Sequence, residues 1–467
     1  MGSSITKMVV NFLLGTDSPP ADVRSKAIQH IVDGIGVMLA GSRTECVKKL
    51  SDFVSGKGGK ESSTLIGFGF KACPSDAALV NGTSGHADDY DDTQLSASPD
   101  RIYGLLTHPT VPVLAAALAV GEIVGCTGRE FLEAFIAGFE VECKLAEAIR
   151  PEHYERGFHT TGTMGAFGAC AASTRLLGLD EEGLRYALGI TASLASGIRA
   201  NFGTMTKPLH AGMAASNGVV AAMLAGRGFT SDRDALDGRW GFMNILGNGA
   251  DPERIADKLG SPYSLVYPGA SIKMYPCGSL GQPSMDALLE IVSEEDLRPD
   301  EVKEIRVRAG PNILEPLRYS RPIDGLQAKF SLQFGLAGIL TRRRAGLREY
   351  TAEVVNSPEM REAMAKVKTV LDSEVASMGT DKMRSIVEVT LQEGRVLSRF
   401  ADTARGTPEK PLKDIELDSK FMECASFVLD EEKVEDVLKK IRGIERSRDI
   451  SRLTALLAPG EIGKPSH

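Results

Sequence analysis

The sequence predicts a mainly α protein in which a large all-helical domain is joined to a smaller, mixed α/β one. Three observations carry that reading. Residues 1–260 repeat a helical apolar period in segment after segment, 303–309 and 384–392 alternate apolar and polar residues instead, and the helical period returns after about 403. A chain of 467 residues is too long for one hydrophobic core, and 42% hydrophobic content is ample for two. The expected division is a helical domain at 1–265 completed by 403–455, a second domain at 266–402, and a flexible tail at 456–467.

The opening "MGSSITKMVVNFLLG" is apolar but lacks a basic n-region and a small-residue cleavage site, so it reads as a first helix and not a signal peptide. Next come "ADVRSKAIQHIVDGIGVMLAG", "PTVPVLAAALAVGEIVG", "GREFLEAFIAGFEVECKLAEAI", "TGTMGAFGACAASTRLLG", "EEGLRYALGITASLASG" and "LHAGMAASNGVVAAMLAGRG", most of them closed by glycine, the usual helix stop. Alanine and glycine on their faces allow close helix approach. The most apolar of them is broken by Glu122 and two prolines, which makes it a buried helix and not a membrane span. "KEIRVRA" and "RSIVEVTLQ" are rich in β-branched residues and read as strands. The helical stretch "SKFMECASFVLDEEKVEDVLKKIRGIERSRDISRLTALL" is expected to rejoin the first domain, and the one dense basic run, "LTRRRAGLRE", to be a solvated helix end.

A net charge of -8, from 54 basic and 62 acidic residues, argues against a nucleic-acid or membrane partner. Any anionic ligand must be drawn by a local site. The seven cysteines (Cys46, Cys73, Cys126, Cys143, Cys170, Cys277, Cys424) are odd in number and never spaced C-x-x-C. Neither a disulfide framework nor a thiolate metal cluster is indicated, in keeping with a reducing cytoplasm.

Four aspartates, a histidine and a tyrosine crowd into "GHADDYDDT", residues 85–93. Continued as part of a helix from Pro74, this stretch puts His86, Asp89, Tyr90 and Thr93 on one face and leaves Asp88, Asp91 and Asp92 to solvent, capping or local ion pairs. Read as D-D-x-x-D, Asp88, Asp89 and Asp92 would instead hold magnesium against a diphosphate. That reading needs a second acidic motif, and none stands out.

Three other segments share a different pattern. "THPTVP" sets His108 before a proline, "GFHTTGTMGAFG" sets His159 before a capping threonine, and "TMTKPLHAG" sets Lys207 before Pro208 with His210 three residues on. Proline favours the first helical turn and pushes the preceding residue out of helical geometry, so each of these cationic or imidazole side chains is expected at a helix N-terminus. Such termini attract anions. Three of them beside an acidic face suggest a pocket for a small polycarboxylate or phosphate, with imidazoles available for proton transfer.

With "THPTVPVLAAALAVGE", "GFHTTGTMGAFGACAA", "RANFGTMTKPLHAGMAASNGV", "KMYPCGSLGQPSMDA" and "LRYSRPIDGLQAKFSLQFG" added to "GHADDYDDT", the chain resembles the MmgE/PrpD family over nearly its whole length. That family includes 2-methylcitrate dehydratases, cis-aconitate decarboxylases and iminodisuccinate epimerases. The resemblance implies a helical domain built from both chain ends, a smaller α/β lid domain, a homodimer, and a cofactor-free, metal-free site between the domains. Carried over by position, the catalytic residues would be His108, His159, Asp89, Lys207 and Tyr319, with Thr93, Lys273, His210 and Gln282 binding substrate. His108 would be the principal proton-transfer group, Asp89 would orient an imidazole or lysine, and Tyr319 would donate to the substrate.

Many members carry Thr-His after "YPC", where this chain has Gly281-Gln282, so a substrate or reaction different from theirs is open. Cys277 in the same stretch is expected to be a buried structural residue. The function implied is a cofactor-independent lyase, dehydratase or decarboxylase, acting on a small di- or tricarboxylate such as 2-methylcitrate, citrate or cis-aconitate. The alternatives are an epimerase of an imino- or hydroxy-dicarboxylate and, more remotely, a catalytically silent dimeric binding protein.

Overall fold

Helices dominate the computed structural model, which describes residues 4–15, 18–95 and 106–459. The first nine long ones are α1 (Ile5–Gly15), α2 (Ala21–Gly41), α3 (Glu45–Lys57), α4 (Pro74–Ala87), α5 (Thr110–Val124), α6 (Gly128–Ala148), α7 (Thr160–Leu176), α8 (Glu181–Leu194) and α9 (Thr206–Ala225). After them come α10 (Gln282–Glu294), α11 (Leu332–Arg342), α12 (Pro358–Ala365), α13 (Asp414–Ala425) and α14 (Glu431–Arg442). Short strands β1 (Ser63–Thr64) and β2 (Lys71–Ala72) pair with each other, as do β3 (Thr93–Gln94) and β4 (Ala270–Ser271). The one larger sheet is built from β5 (Val302–Ala309), β6 (Val367–Leu371), β7 (Ser385–Leu391) and β8 (Val396–Ala401) in the order β6-β5-β7-β8, with only β5 and β6 parallel. Among the described residues, no helix is long and apolar enough to cross a membrane.

The two largest apolar clusters among the described residues account for most of this layout. In the larger, Ile31 and Ile35 of α2, Leu114 of α5 and Phe135 and Phe139 of α6 pack with Phe421 of α13 and Val437 of α14, so the late helices close over the early ones. In the smaller, Leu288 of α10 and Phe334 and Ile339 of α11 cover Ile305, Val307, Val387 and Val389 of the sheet. Burial alternates residue by residue along β7, as a strand with one covered face requires. The two segments that alternate in sequence, 303–309 and 384–392, thus match β5 and β7.

Close helix approach sets up the centre of the larger core. A Cβ on Gly82 of α4 would fall 2.9 Å from the Gly212 Cα of α9, and one on Gly212 would fall 2.2 Å from the Leu79 carbonyl oxygen. Only two glycines let these helices touch backbone to backbone, and that contact brings the start of α9 beside the end of α4.

Two expectations fail here. Helix α4 stops at Ala87, and Asp89 takes φ 52, the left-handed conformation that aspartate tolerates better than most residues. The chain then runs extended into β3, so His86 and Thr93 belong to different elements and not to one helix face. The expected tail at 456–467 also begins too early. Leu457 is fully buried and its carbonyl accepts from the Gly67 amide, while 460–467 lie outside the described residues.

Candidate active site

The ends of four elements converge on one enclosed cavity. From the turn after α4 comes Asp89, from the segment before α5 comes His108, from the start of α7 comes His159, and from the first turn of α9 comes Lys207. The strand pairing of β3 with β4 delivers the rest, because it sets Thr93 opposite Ser271 and so brings Lys273 beneath Asp89. The α/β domain contributes Ser279, Leu317 and Phe330 to the opposite wall. His159 is itself the N-cap of α7, so the threonine after it is the first helical residue and not the cap.

At the bottom of the cavity Asp89 is clasped by two ammonium groups. Lys207 Nζ bonds directly to its Oδ1, and Lys273 Nζ lies 3.4 Å from the same oxygen while donating to the Asp89 carbonyl at 2.8 Å. Burial alone would raise the Asp89 pKa, but the two lysines outweigh it and hold the carboxyl well below its usual range. Burial lowers the Lys207 pKa in turn, against the pull of Asp89. Two ammoniums against one carboxylate leave net positive charge, which favours an anionic guest. The Lys207 Nζ also sits 5.5 Å from the Phe202 ring and 5.4 Å from the Phe330 ring, an apolar frame that sharpens its field.

Above the lysines lies a cluster of imidazoles. His86 and His108 meet edge to face with centroids 4.6 Å apart, and His86 and His159 stack at 5.7 Å. His159 Nδ1 and His210 Nδ1 share a hydrogen bond at 2.9 Å. His108 Nδ1 donates to the Asp92 carbonyl at 2.6 Å, which leaves its Nε2 as the free nitrogen. Burial first and Lys207 second hold His86 and His159 well below the usual imidazole pKa; burial also depresses His108, and His210 falls to about 4. These imidazoles are therefore neutral at pH 7.

One ring nitrogen from each of His86, His108 and His159 lies within 4.8 Å of the others, a spacing that could hold a metal ion. The flanking ammoniums of Lys207 and Lys273 oppose a cation there. The D-D-x-x-D reading has no geometry at all: Asp88 pairs with Lys329 at 2.8 Å, Asp89 with Lys207, and Asp92 accepts from the Thr110 amide and hydroxyl.

The structure brings together Asp89, Thr93, His108, His159, Lys207 and Lys273 as cavity lining, with His210 directly behind His159. Thr93 Oγ1 bonds to Ser279 Oγ at 2.6 Å, which ties the two domains at the cavity rim. Two expected residues lie elsewhere. Gln282 is buried in the first turn of α10, where its amide donates to the carbonyls of Tyr275 and Cys277 at 2.9 and 3.3 Å. It fastens the "YPCG" loop and does not line the cavity. Tyr319 is half-buried and donates to the Phe202 carbonyl at 3.3 Å, so its hydroxyl spans the domain junction and not the cavity. Cys277 is buried against Met285, and burial pushes its thiol up to about 12, so it is no nucleophile.

Of the roles expected for the surplus aspartates, solvent, capping or local ion pairs, the structure shows ion pairs. Asp91 and Asp92 are fully buried, not solvated: Asp91 accepts from His86 Nδ1 at 2.7 Å, and Asp92 faces His30 at 2.9 Å as well as Thr110. His86, Phe202 and Phe330 were missed as site components. His86 carried a usable signal, since it shares the "GHADDYDDT" stretch with Asp89.

The chain is similar in sequence to known proteins over most of its length. The model of the MmgE/PrpD N-terminal domain matches residues 4–255, and that of the MmgE/PrpD C-terminal domain matches residues 275–443. The chain is 30% identical to the cis-aconitate decarboxylase of Homo sapiens, over 95% of this chain and 92% of that protein. It is 30% identical to the Mus musculus cis-aconitate decarboxylase over 93% and 88%, and 26% identical to the Aspergillus terreus one over 95% and 93%. With both family domains matched in order and its charged and imidazole groups gathered between them, the chain belongs to the MmgE/PrpD family.

Proposed function

We propose that this protein is a cofactor-independent carbon–carbon lyase that decarboxylates a small tricarboxylate, with cis-aconitate the first candidate. The observation that carries the reading is the buried Lys207–Asp89–Lys273 centre, whose excess positive charge faces a cavity lined by His108 and His159. The full-length similarity to cis-aconitate decarboxylases favours decarboxylation over dehydration or epimerisation.

The reaction asks for groups of these kinds. The bond from carbon to one carboxylate breaks, carbon dioxide leaves, and the electron pair passes through the double bond onto a conjugated carboxylate. One proton then adds to carbon. Lys207 and Lys273 stabilise the enediolate-like charge, a contribution of about 10²–10³-fold for a single fixed donor in such sites. His108, whose Nε2 is free toward the cavity side, delivers the proton, and His159 contacts a carboxylate or assists. Asp89 keeps both ammoniums oriented.

The division into a helical body at 1–265 and 403–455 and a lid at 266–402 is part of the reading, supported by the separate apolar cluster that the lid's sheet and helices form. The homodimer is what the family resemblance implies, and sedimentation velocity tests it; the cytoplasm is the reading of seven scattered cysteines.

A proton NMR time course in deuterated buffer, with cis-aconitate, citrate, 2-methylcitrate and iminodisuccinate, tests the function. The expected result is loss of the cis-aconitate vinyl signal with release of carbon dioxide, abolished in His108→Ala. New vinyl signals from citrate or 2-methylcitrate would make the protein a dehydratase, exchange of a carbon-bound proton alone would make it an epimerase, and silence would reject all three.

A further inference from the structure

His86 sits within the imidazole cluster, and the proposed chemistry leaves it without a task. It does not line the cavity, yet it lies between His108 and His159, with centroids at 4.6 and 5.7 Å. Its Nδ1 bonds to Asp91 Oδ2 at 2.7 Å, and that same oxygen lies 3.6 Å from His108 Nδ1. Asp91 thus faces both rings. Buried polar atoms are nearly always paired, but His86 Nε2, His159 Nε2 and Asp91 Oδ1 have no partner among the described residues.

We infer that a polycarboxylate binds here together with one proton, which the His86–His108 pair holds through its shared Asp91, and that His86 is the positioning residue that lets His108 carry it. The inference rests on the polycarboxylate reading above. The groups facing His86 are Asp91 and Asp89 on the acidic side and Lys207, Lys273, His108, His159 and His210 on the basic side. By themselves burial and the lysines disfavour a charged ring at His86. A bound polyanion offsets the lysine field, and Asp91 then favours a proton on the pair. The balance closes: solvent supplies one proton on binding, carbon receives it as carbon dioxide leaves, and a trianion with one proton yields a dianion and carbon dioxide.

Calorimetric titration of the full chain with tricarballylate, a saturated analogue that cannot react, tests this in two buffers of different ionisation enthalpy. The expected result is uptake of about one proton per site and an affinity that falls about tenfold per pH unit above neutrality. His86→Gln keeps a hydrogen bond to Asp91 but cannot titrate. It should still bind, with uptake at least halved, the pH dependence of binding flattened and the pH profile of kcat/KM displaced. A merely structural role predicts that glutamine changes neither. Binding to the wild type without proton uptake, or full uptake in a folded His86→Gln, overturns the inference and leaves the lyase reading standing. Failure of the wild type to bind tricarballylate overturns the polycarboxylate reading and the inference with it. Should His86→Gln not fold, nitrogen-15 histidine spectra of the wild type decide: His86 must become charged on adding tricarballylate, and a neutral ring overturns the inference.

Discussion

Two buried lysine–aspartate centres lie back to back in this molecule, and they differ in one ammonium group. In the body, Lys420 of α13 meets Asp33 of α2 at 2.6 Å; at the cavity, Lys207 and Lys273 both serve Asp89. Burial wins at Asp33, whose pKa stays raised despite Lys420, while two lysines win at Asp89 and drive its pKa well down. A single pair is close to neutral and holds structure. The second lysine converts the same motif into a centre with charge left over for a ligand. The centres are also mechanically joined, since Lys420 Nζ donates to the carbonyls of Tyr90 and Lys273 at 2.9 and 2.8 Å. The structural pair therefore fixes the backbone on both sides of the functional one.

Removing the extra charge is the strongest way to break the contrast. Lys207→Met should lower kcat/KM by about 10³-fold, the loss of a fixed donor to developing negative charge, while urea unfolding shows a much smaller change because Lys273 still pairs with Asp89. A drop in stability as large as the drop in activity would make both centres structural.

Lys420→Met reverses the weighting. It leaves Asp33 buried and unpaired and should cost about 3 kcal/mol in urea unfolding, the lower end for a broken buried pair because Asp33 is already inclined to protonate. Activity should fall less than in Lys207→Met, through loosened carbonyls at Tyr90 and Lys273.

Acid sharpens the comparison further. Because His86, His108, His159, His153 and His210 have folded pKa values below the unfolded 6.5, the unfolded chain binds more protons as pH falls under that value. Their contribution to stability is fully present above about pH 6.5 and is lost on acidification, by about 1.4 kcal/mol per pH unit for each. For His153 and His210 the loss is complete near pH 4. Asp89, with its depressed pKa, contributes down to much lower pH. Melting temperatures that stay flat from pH 7 to 5 would show that the imidazoles are charged in the fold.

The smallest effect is expected at the domain junction. Tyr319→Phe removes one partly exposed hydrogen bond to Phe202, worth about 1 kcal/mol at most. It should raise KM by a few-fold and leave kcat nearly unchanged; a large fall in kcat would return Tyr319 to the chemistry.

By itself the sequence determined most helices of the larger domain, strands β5 and β7, and the seating of His108, His159 and Lys207 at helix starts. Proline, threonine and glycine act on their neighbours within one turn, so their effects can be read locally. It also singled out Asp89 among four neighbouring aspartates, through family resemblance and not through spacing. Only the tertiary structure decided that α4 ends before Asp89, that Asp91 and Asp92 are buried partners of histidines, and that Gln282 and Tyr319 turn away from the cavity. Each of those outcomes depends on a partner far along the chain: the Gly82–Gly212 contact that admits Lys207, the β3–β4 pairing that admits Lys273, and the Tyr275 and Phe202 carbonyls. Local propensity fixes where a side chain starts, but the charge it meets when buried is set by which distant segments the packing brings against it.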